Sequence, residues 1–342
     1  MPLTVLHLTG SATDEFLADL SLVYARDCWA ATTDADRYDM RLAHVVPGGL
    51  WTFPADPGEE ALAAAEPLPL TAAVQHLTAL QPQVVLPQMF CLPGMTTYRS
   101  LLDLLGLPYL GNTAAVMGLA ADKAHTRAVV AAAGVPVPSA ELLGPGQTPT
   151  LPPPVVVKPV DADNSVGVTL VRSPDAYPGA LAAAFAHSRR VLVESFVDVG
   201  REVRCGVVER DGELVCLPLE EYALDPLTRP IRGQSDKIGR DEDGGLRLEA
   251  KNSTRAWTVD VTDPVTAPVW DAARRSHRAL NCRHYSLFDF RVDPAGRPWF
   301  LEAGLYCSFA RQSVIPTMAR AAGISLPDLF AGMIDQLGIV AA

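Results

Sequence analysis

The chain has 342 residues with 28 basic and 39 acidic side chains, a formal net charge of −11, and is 49% hydrophobic and 20% charged. That is enough apolar material for two or three packed cores, and it excludes global disorder. The acidic balance repels polyanions, so nucleic acid is not an expected partner.

The opening MPLTVLHLTG lacks the basic start of a secretory signal, and no apolar run approaches the roughly 20 residues of a bilayer span. A cytoplasmic protein with no membrane partner is expected. Cys28, Cys91, Cys205, Cys216, Cys282 and Cys307 show no CxxC spacing, which predicts reduced core thiols rather than a zinc knot or a disulfide frame.

Apolar and polar residues alternate between strand and helix periods through the first third. A strand over Val5–Leu8 leads to a helix carrying Phe16, Leu20, Val23 and Tyr24, followed by strands at Ala43–Val46 and Val84–Leu86 and helices at Leu70–Leu80 and Ser100–Leu105. A second unit starts near Asn112, a candidate N-cap for an Ala-rich helix ending at Gly134. The runs VVVKP (155–159) and VGVTLV (166–171) flank the polar turn VDADNS and predict a hairpin with an exposed tip. Beyond a helix at Asp175–Ala186 come VLVESFV (191–197), a GRE turn, VRCGVV from Val203 and its hairpin partner ELVCLPL (213–219). The polar, Gly-containing stretch 225–254 is either a lid or ordinary surface. Helices near Val269–Leu280, Ser313–Ala321 and Leu326–Leu337 complete the pattern.

The most informative segment is HYSLFDFRVDPAGRPWFLEAG, residues 284–304. Asp293–Gly296 form a tight turn, and the simplest register pairs Val292 with Arg297 and Asp289 with Phe300. Glu302 then becomes a diagonal neighbour of Asp289 on one face. Two carboxylates interrupting apolar strands need a compensating cation or solvent. As hard oxygen ligands they suit Mg²⁺, which shares its shell with substrate phosphates. The alternative is that Asp289 simply faces solvent beside Arg291. Lys158, an ammonium inside VVVKP near Gly167, either reaches an anion beneath the loop amides or extends its stem to water. Neither a Walker A loop nor a GxGxxG fingerprint is present.

Lys123 in AADK, Lys158 in VVVKP, the loop DADNSVGV, VLVESFV with GREVRC, and the FDF and FLEAG strands occur in an order that resembles the ATP-grasp superfamily, nearest to D-alanine–D-alanine ligases. The resemblance implies a mixed α/β (α+β) chain: an ATP-grasp fold with an N-terminal Rossmann-like, pre-ATP-grasp α/β domain. The implied divisions are 1–111, a central subdomain 112–193 and a C-terminal domain 194–342. It also implies an ATP-dependent carboxylate–amine ligase working through an acyl phosphate on two amino-acid substrates, with Mg²⁺ or Mn²⁺ and as a homodimer.

By the same resemblance Lys123, Lys158 and Lys237 hold phosphates, and Asn164, Ser165, Val166 and Gly167 cover them. Glu194, Ser195, Phe196 and Val197 meet adenine, and Glu202 meets the ribose. Asp289 and Glu302 hold metal. Ser313 holds the acceptor carboxylate. Glu15 either meets a substrate ammonium or only starts a helix, and Arg311 is either a carboxylate clamp or solvated. Leu287 stands where these ligases carry an arginine, Gly304 where they carry a metal-binding asparagine, and Ile238 where they carry a tyrosine. These departures point the expected substrate away from D-alanine, toward an L-amino acid or a γ-glutamyl donor. The D-alanine–D-alanine ligase itself and a weakened nucleotide-binding regulator are the alternatives.

Overall fold

The computed structural model describes residues 2–162, 165–225, 228, 230–231, 239–240, 246–247 and 255–339. Most of the stretch 225–254 therefore lies outside the described residues, as do Asn164, Lys237 and Ile238.

The first unit runs β1 (Leu3–Gly10), α1 (Glu15–Thr32), β2 (Tyr38–Val45), β3 (Trp51–Thr52), α2 (Glu59–Ala64), α3 (Leu70–Leu80), β4 (Val84–Pro87), α4 (Leu92–Met95) and α5 (Thr97–Leu104). Strand order is β3-β2-β1-β4, with β1 parallel to both β2 and β4. Leu3 and Val5 of β1 enter one core while Leu6 and Leu8 enter another. Burial on both faces is what a parallel sheet requires. The stretch Pro108–Leu110 joins this sheet only through an isolated bridge between Val85 and Tyr109.

The Ala-rich stretch is two helices, α6 (Ala114–Ala120) and α7 (Lys123–Ala132). Thr113 caps the first and Asp122 the second, whose carboxylate accepts from the His125 N–H at 2.9 Å. Asn112 is buried instead: its amide donates to the Tyr285 and Leu305 carbonyls at 2.9 and 3.0 Å, and its oxygen accepts from the Arg283 N–H at 2.9 Å. Beside it, Gly111 has φ +89, and a Cβ there would lie 2.2 Å from the Tyr285 hydroxyl. Only glycine permits this close approach.

A small antiparallel sheet follows from β5 (Ala140–Leu143), β6 (Val155–Pro159), β7 (Thr169–Val171), α8 (Tyr177–Phe185) and β8 (Val191–Ser195), in strand order β5-β8-β6-β7. The expected β6–β7 hairpin is present. The remaining elements are β9 (Arg201–Arg210), β10 (Glu213–Cys216), β11 (Glu220–Tyr222), β12 (Gly239–Arg240), β13 (Leu246–Arg247), β14 (Ala256–Thr258), α9 (Thr266–Ala279), β15 (Tyr285–Val292), β16 (Pro298–Gly304), α10 (Val314–Ala321) and α11 (Leu326–Asp335). The largest sheet among the described residues has the order β14-β11-β9-β15-β16, with β10 paired to β9.

The two faces of this large sheet differ. Val203, Cys205, Val207, Phe288, Phe290 and Phe300 share one core with residues of α6, α7 and α9. On the opposite face, Val208, Tyr285 and Leu287 pack at one end with Leu3, Val5 and Leu86 of the first sheet and with Ile315, Met318 and Phe330. The other end of that face carries Glu202, Arg204, Asp289 and Arg291, which share a side because β9 and β15 pair directly. Alternation alone therefore makes a sheet face that is apolar at one end and charged at the other.

The β15–β16 register corrects the expected one. The turn closes between Asp293 and Arg297, Phe290 pairs with Phe300, and Asp289 lies directly opposite Glu302 with Leu301 as the extra residue of a bulge. Without the bulge, Phe300 and Glu302 would share a face. With it, Phe300 joins Phe288 and Phe290 in the core at ring separations of 6.1 and 6.0 Å, and Glu302 turns toward the charged end.

Candidate active site

The charged end of the large sheet faces the small sheet across a cleft of about 820 Å³, open to solvent at its mouth. Val156, Val168, Phe196, Ile231 and Leu301 give it apolar walls, while Lys123, Lys158 and Arg291 meet Glu194, Glu202, Asp289 and Glu302 around it. An apolar slot leading to cations and paired acids suits a flat base carrying a polyphosphate.

Lys158 Nζ lies 2.5 Å from Glu194 Oε2, and Arg127 Nε approaches the other carboxylate oxygen of Glu194 at 3.3 Å. Lys123, the first residue of α7, donates through Nζ to the Ala162 carbonyl at 2.6 Å and lies 4.0 Å from Glu302 Oε2. The loop between β6 and β7 bends at Ser165, with φ +60, and at Gly167, with φ +69. A Cβ at Gly167 would sit 2.9 Å from Pro159 Cγ, so this tight base needs glycine. Ser165 and Val168 line the cleft. In the segment after β8, Ser195 and Phe196 give their N–H groups to the carbonyls of Ser139 and Pro154 at 2.8 and 2.9 Å. These two N–H groups are therefore already engaged within the protein, while the segment's residues still line the cleft.

Two rows of charged groups cross the large sheet. In the first, β16, β15, β9 and β11 present Glu302, Asp289, Arg204 and Glu220 directly opposite one another. Arg204 grips Asp289 with a two-point contact, Nε to Oδ1 at 2.5 Å and Nη2 to Oδ2 at 3.0 Å. Burial opposes the guanidinium charge, but Asp289, Tyr222 and Glu220 outweigh it and hold the proton well above the ordinary arginine range. In the second row, Arg291 Nη2 donates to Glu202 Oε2 at 2.5 Å, and the guanidinium stacks 5.3 Å from the Phe196 ring centre. Glu202 belongs to β9 itself, not to a turn.

Arg204, Arg291 and Arg127 escaped the reading of site residues. One signal was available: Glu202 and Arg204 alternate with Val203 and Cys205 inside a strand, so one face of it is charged.

Five of the described expected residues do not line the cleft: Val166 and Gly167 of its covering loop, and Glu15, Arg311 and Ser313. Glu15 lies exposed at the start of α1, where Asp14 is the cap. Arg311 is half exposed and paired with Asp27 of α1, Nη1 to Oδ1 at 2.6 Å, rather than turned toward Ser313. Ser313 precedes α10 and shares a hydrogen bond with the Ser308 hydroxyl. All six cysteines are buried free thiols, as expected, and His284 is a buried structural group that accepts the Gly111 N–H on Nδ1 at 2.8 Å.

Asp289 and Glu302 are the acids able to hold a divalent cation. Among the described residues no group of three or more His, Cys, Asp or Glu gathers for a metal, so nucleotide phosphates would have to complete its shell, as Mg²⁺ prefers. A bare polyphosphate would be repelled by the two acids, and a cation-bound one would not. The residues present therefore fit a magnesium nucleotide.

A family profile described as D-ala D-ala ligase C-terminus matches residues 147–335. The chain belongs to the D-alanine–D-alanine ligase family. It is 33% identical over 251 residues to the D-alanine–D-alanine ligase of Mycolicibacterium smegmatis, a match covering 70% of this chain and 64% of that protein. A ligase of the same description from Citrifermentans bemidjiense is 32% identical over 237 residues, 68% of this chain and 70% of the relative. Among solved structures, the VanG D-Ala:D-Ser ligase of Enterococcus faecalis superposes with a TM-score of 0.77 at 20% identity, covering 98% of this chain and 100% of that one. The D-alanine–D-alanine ligase of Coxiella burnetii gives 0.74 at 20% identity, covering 98% and 94%. The fold is the ATP-grasp fold of these ligases. No helix among the described residues is long and apolar enough to cross a membrane.

Proposed function

We propose that this protein is an ATP-dependent ligase that joins the carboxylate of D-alanine to the amine of a second small D-amino acid, acting in the cytoplasm. The observation that carries the reading is the row in which Asp289 and Glu302 stand opposite each other at the lysine-bearing end of an apolar cleft, in a chain of this family. The relatives matched over 68–70% of the chain, described as D-alanine–D-alanine ligases, favour this substrate over the L-amino acid or γ-glutamyl donor suggested by Leu287 and Gly304.

In this reading ATP supplies the phosphoryl group, and Mg²⁺ neutralises its charge as it transfers to the donor carboxylate. Asp289 and Glu302 hold the cation. Lys123 and Lys158 orient phosphate oxygens, with Lys158 shared between Glu194 and the nucleotide. Glu202, steadied by Arg291, receives the ribose hydroxyls, and Val156, Phe196 and Leu301 enclose the base. Ser165, Val166 and Gly167, with Asn164 and Lys237 from outside the described residues, cover the phosphates and keep water from the acyl phosphate until the acceptor amine attacks. The products are an amide, ADP and phosphate.

The test is ADP release across D- and L-amino acids, alone and in pairs, with mass detection of the coupled product. D-alanine is expected to give the highest kcat/KM as donor, with one ADP per dipeptide. A faster L-amino acid or glutamate donor would overturn the substrate, and nucleotide binding without ADP release for any pair would favour the regulator.

A further inference from the structure

We propose that Arg204 receives the carboxylate of the donor amino acid, exchanging Asp289 for the substrate when a cation occupies the site; this rests on the ligase reading above.

Position comes first. Neighbouring strands lie about 4.8 Å apart, so the row across β16, β15 and β9 is a short track from Glu302 through Asp289 to Arg204. Asp289 and Glu302 line the nucleotide cleft and Arg204 does not. In-line phosphoryl transfer places the accepting oxygen on the far side of the transferred group from its leaving oxygen. Arg204 lies one strand beyond Asp289, outside the lining of that cleft, its guanidinium 5.4 Å from the Tyr222 ring centre. It is also close enough to Tyr24 of α1 to lower a phenol pKa that burial raises. Tyr24 in turn meets Phe90 edge-on at 5.1 Å, and Phe90 meets Tyr306 at 5.5 Å. Aromatic rings of α1 and the segments before α4 and after β16 thus lie on the Tyr24 side of the guanidinium.

Chemistry comes second. Both Asp289 oxygens accept from Arg204, so a divalent cation on Asp289 draws on the same negative charge and weakens its hold on the guanidinium. The row carries three carboxylates and one guanidinium, with Lys123 4.0 Å from Glu302, and a divalent cation on Asp289 competes with the arginine fork for that carboxylate. A substrate carboxylate reproduces the geometry that Asp289 gives up. On one side of this row Leu287 and Gly304 stand opposite each other without charge, and on the other Arg291 is engaged by Glu202.

The experiment compares R204K and R204Q with wild type by steady-state kinetics and by calorimetry, using D-alanine titrated in the presence of Mg²⁺ and a non-hydrolysable ATP analogue. R204K keeps the charge but loses the fork. It is expected to retain its melting temperature and its affinity for the magnesium nucleotide, while donor KM and the dissociation constant for D-alanine rise on the order of tenfold or more. R204Q, with no guanidinium competing for Asp289, is expected to bind the magnesium nucleotide at least as tightly as wild type. Unchanged donor KM and D-alanine affinity in R204K would overturn the proposal. Parallel loss of nucleotide and D-alanine affinity in both variants would do so as well, because Arg204 would then act only by holding Asp289 in place. Ligation by wild type tests the ligase reading separately, so the two failures are distinguishable.

Discussion

Two charged rows lie side by side on one face of the large sheet, and they are built on opposite principles. The row of Arg291 and Glu202 is balanced, with side chains only 5% and 9% exposed. The row of Glu302, Asp289, Arg204 and Glu220 has an excess of acid, and Asp289, Arg204 and Glu302 are more open, at 17%, 16% and 31%. A balanced pair needs nothing further and holds one geometry. The acid-rich row keeps an excess of negative charge, which in the proposed function is offset by the cation.

Breaking the balanced row should have the largest effect on folding. Arg291→Leu leaves Glu202 buried without its partner, and urea unfolding should show a loss of about 3–5 kcal/mol. Replacing both residues by leucine should recover most of that loss while nucleotide affinity stays low. In the acid-rich row the effect should fall on turnover instead. Asp289→Asn should leave the circular dichroism spectrum unchanged and cut ligation on the order of 10²–10³-fold, and near-normal turnover with unaltered Mg²⁺ dependence would remove Asp289 from the metal site.

Acid should act at a third place, the seam at His284. Burial, helped by Arg283, lowers its pKa from 6.5 to about 4. Between these values the unfolded chain binds more protons than the folded one, so stability falls as pH drops from 6.5 and the loss levels off below about 4. His284→Asn should lose on the order of 1–2 kcal/mol less than wild type between pH 7 and pH 5, read by urea titration at each pH. His7 and His44 are lowered to about 4 by burial too, so part of the acid sensitivity should persist.

Smaller effects sharpen the contrast. A Cβ at Gly304 would meet nothing closer than Leu287 Cδ2 at 3.8 Å. Gly304→Asn should therefore fold normally, and by adding an oxygen beside Glu302 it should tighten Mg²⁺ a few-fold in nucleotide titrations. The exposed Arg311–Asp27 pair should matter least: Arg311→Ala should cost under about 1 kcal/mol, and a rise in acceptor KM would instead return Arg311 to the substrate site.

Local patterns made much of this legible. Strand alternation, the turn at Asp293–Gly296 and the order of Lys123, Lys158, Asp289 and Glu302 all follow from short stretches of chain. What escaped depends on partners far away in sequence. Leu301 becomes a bulge because Phe300 is drawn into a core with Phe288 and Phe290, a packing choice that the two-residue strand period cannot register. Arg204 is an ordinary charged strand residue until β15 brings Asp289, 85 positions later, beside it. Arg311 seemed placed for substrate by its nearness to Ser313, but α1 offers it Asp27 from 284 positions earlier.

The burial of Asn112 constrains how the protein is made. Its amide needs carbonyls 173 and 193 residues further along the chain. At roughly 5–20 residues per second, a ribosome takes on the order of 10–40 s to deliver the second of them. During that interval the join after the first unit stays hydrated, with Gly111 still waiting for the tyrosine ring it must lie against. A nascent chain halted before Leu305 would carry the first sheet on an unfinished join, open to proteases at a point that is buried in the completed molecule.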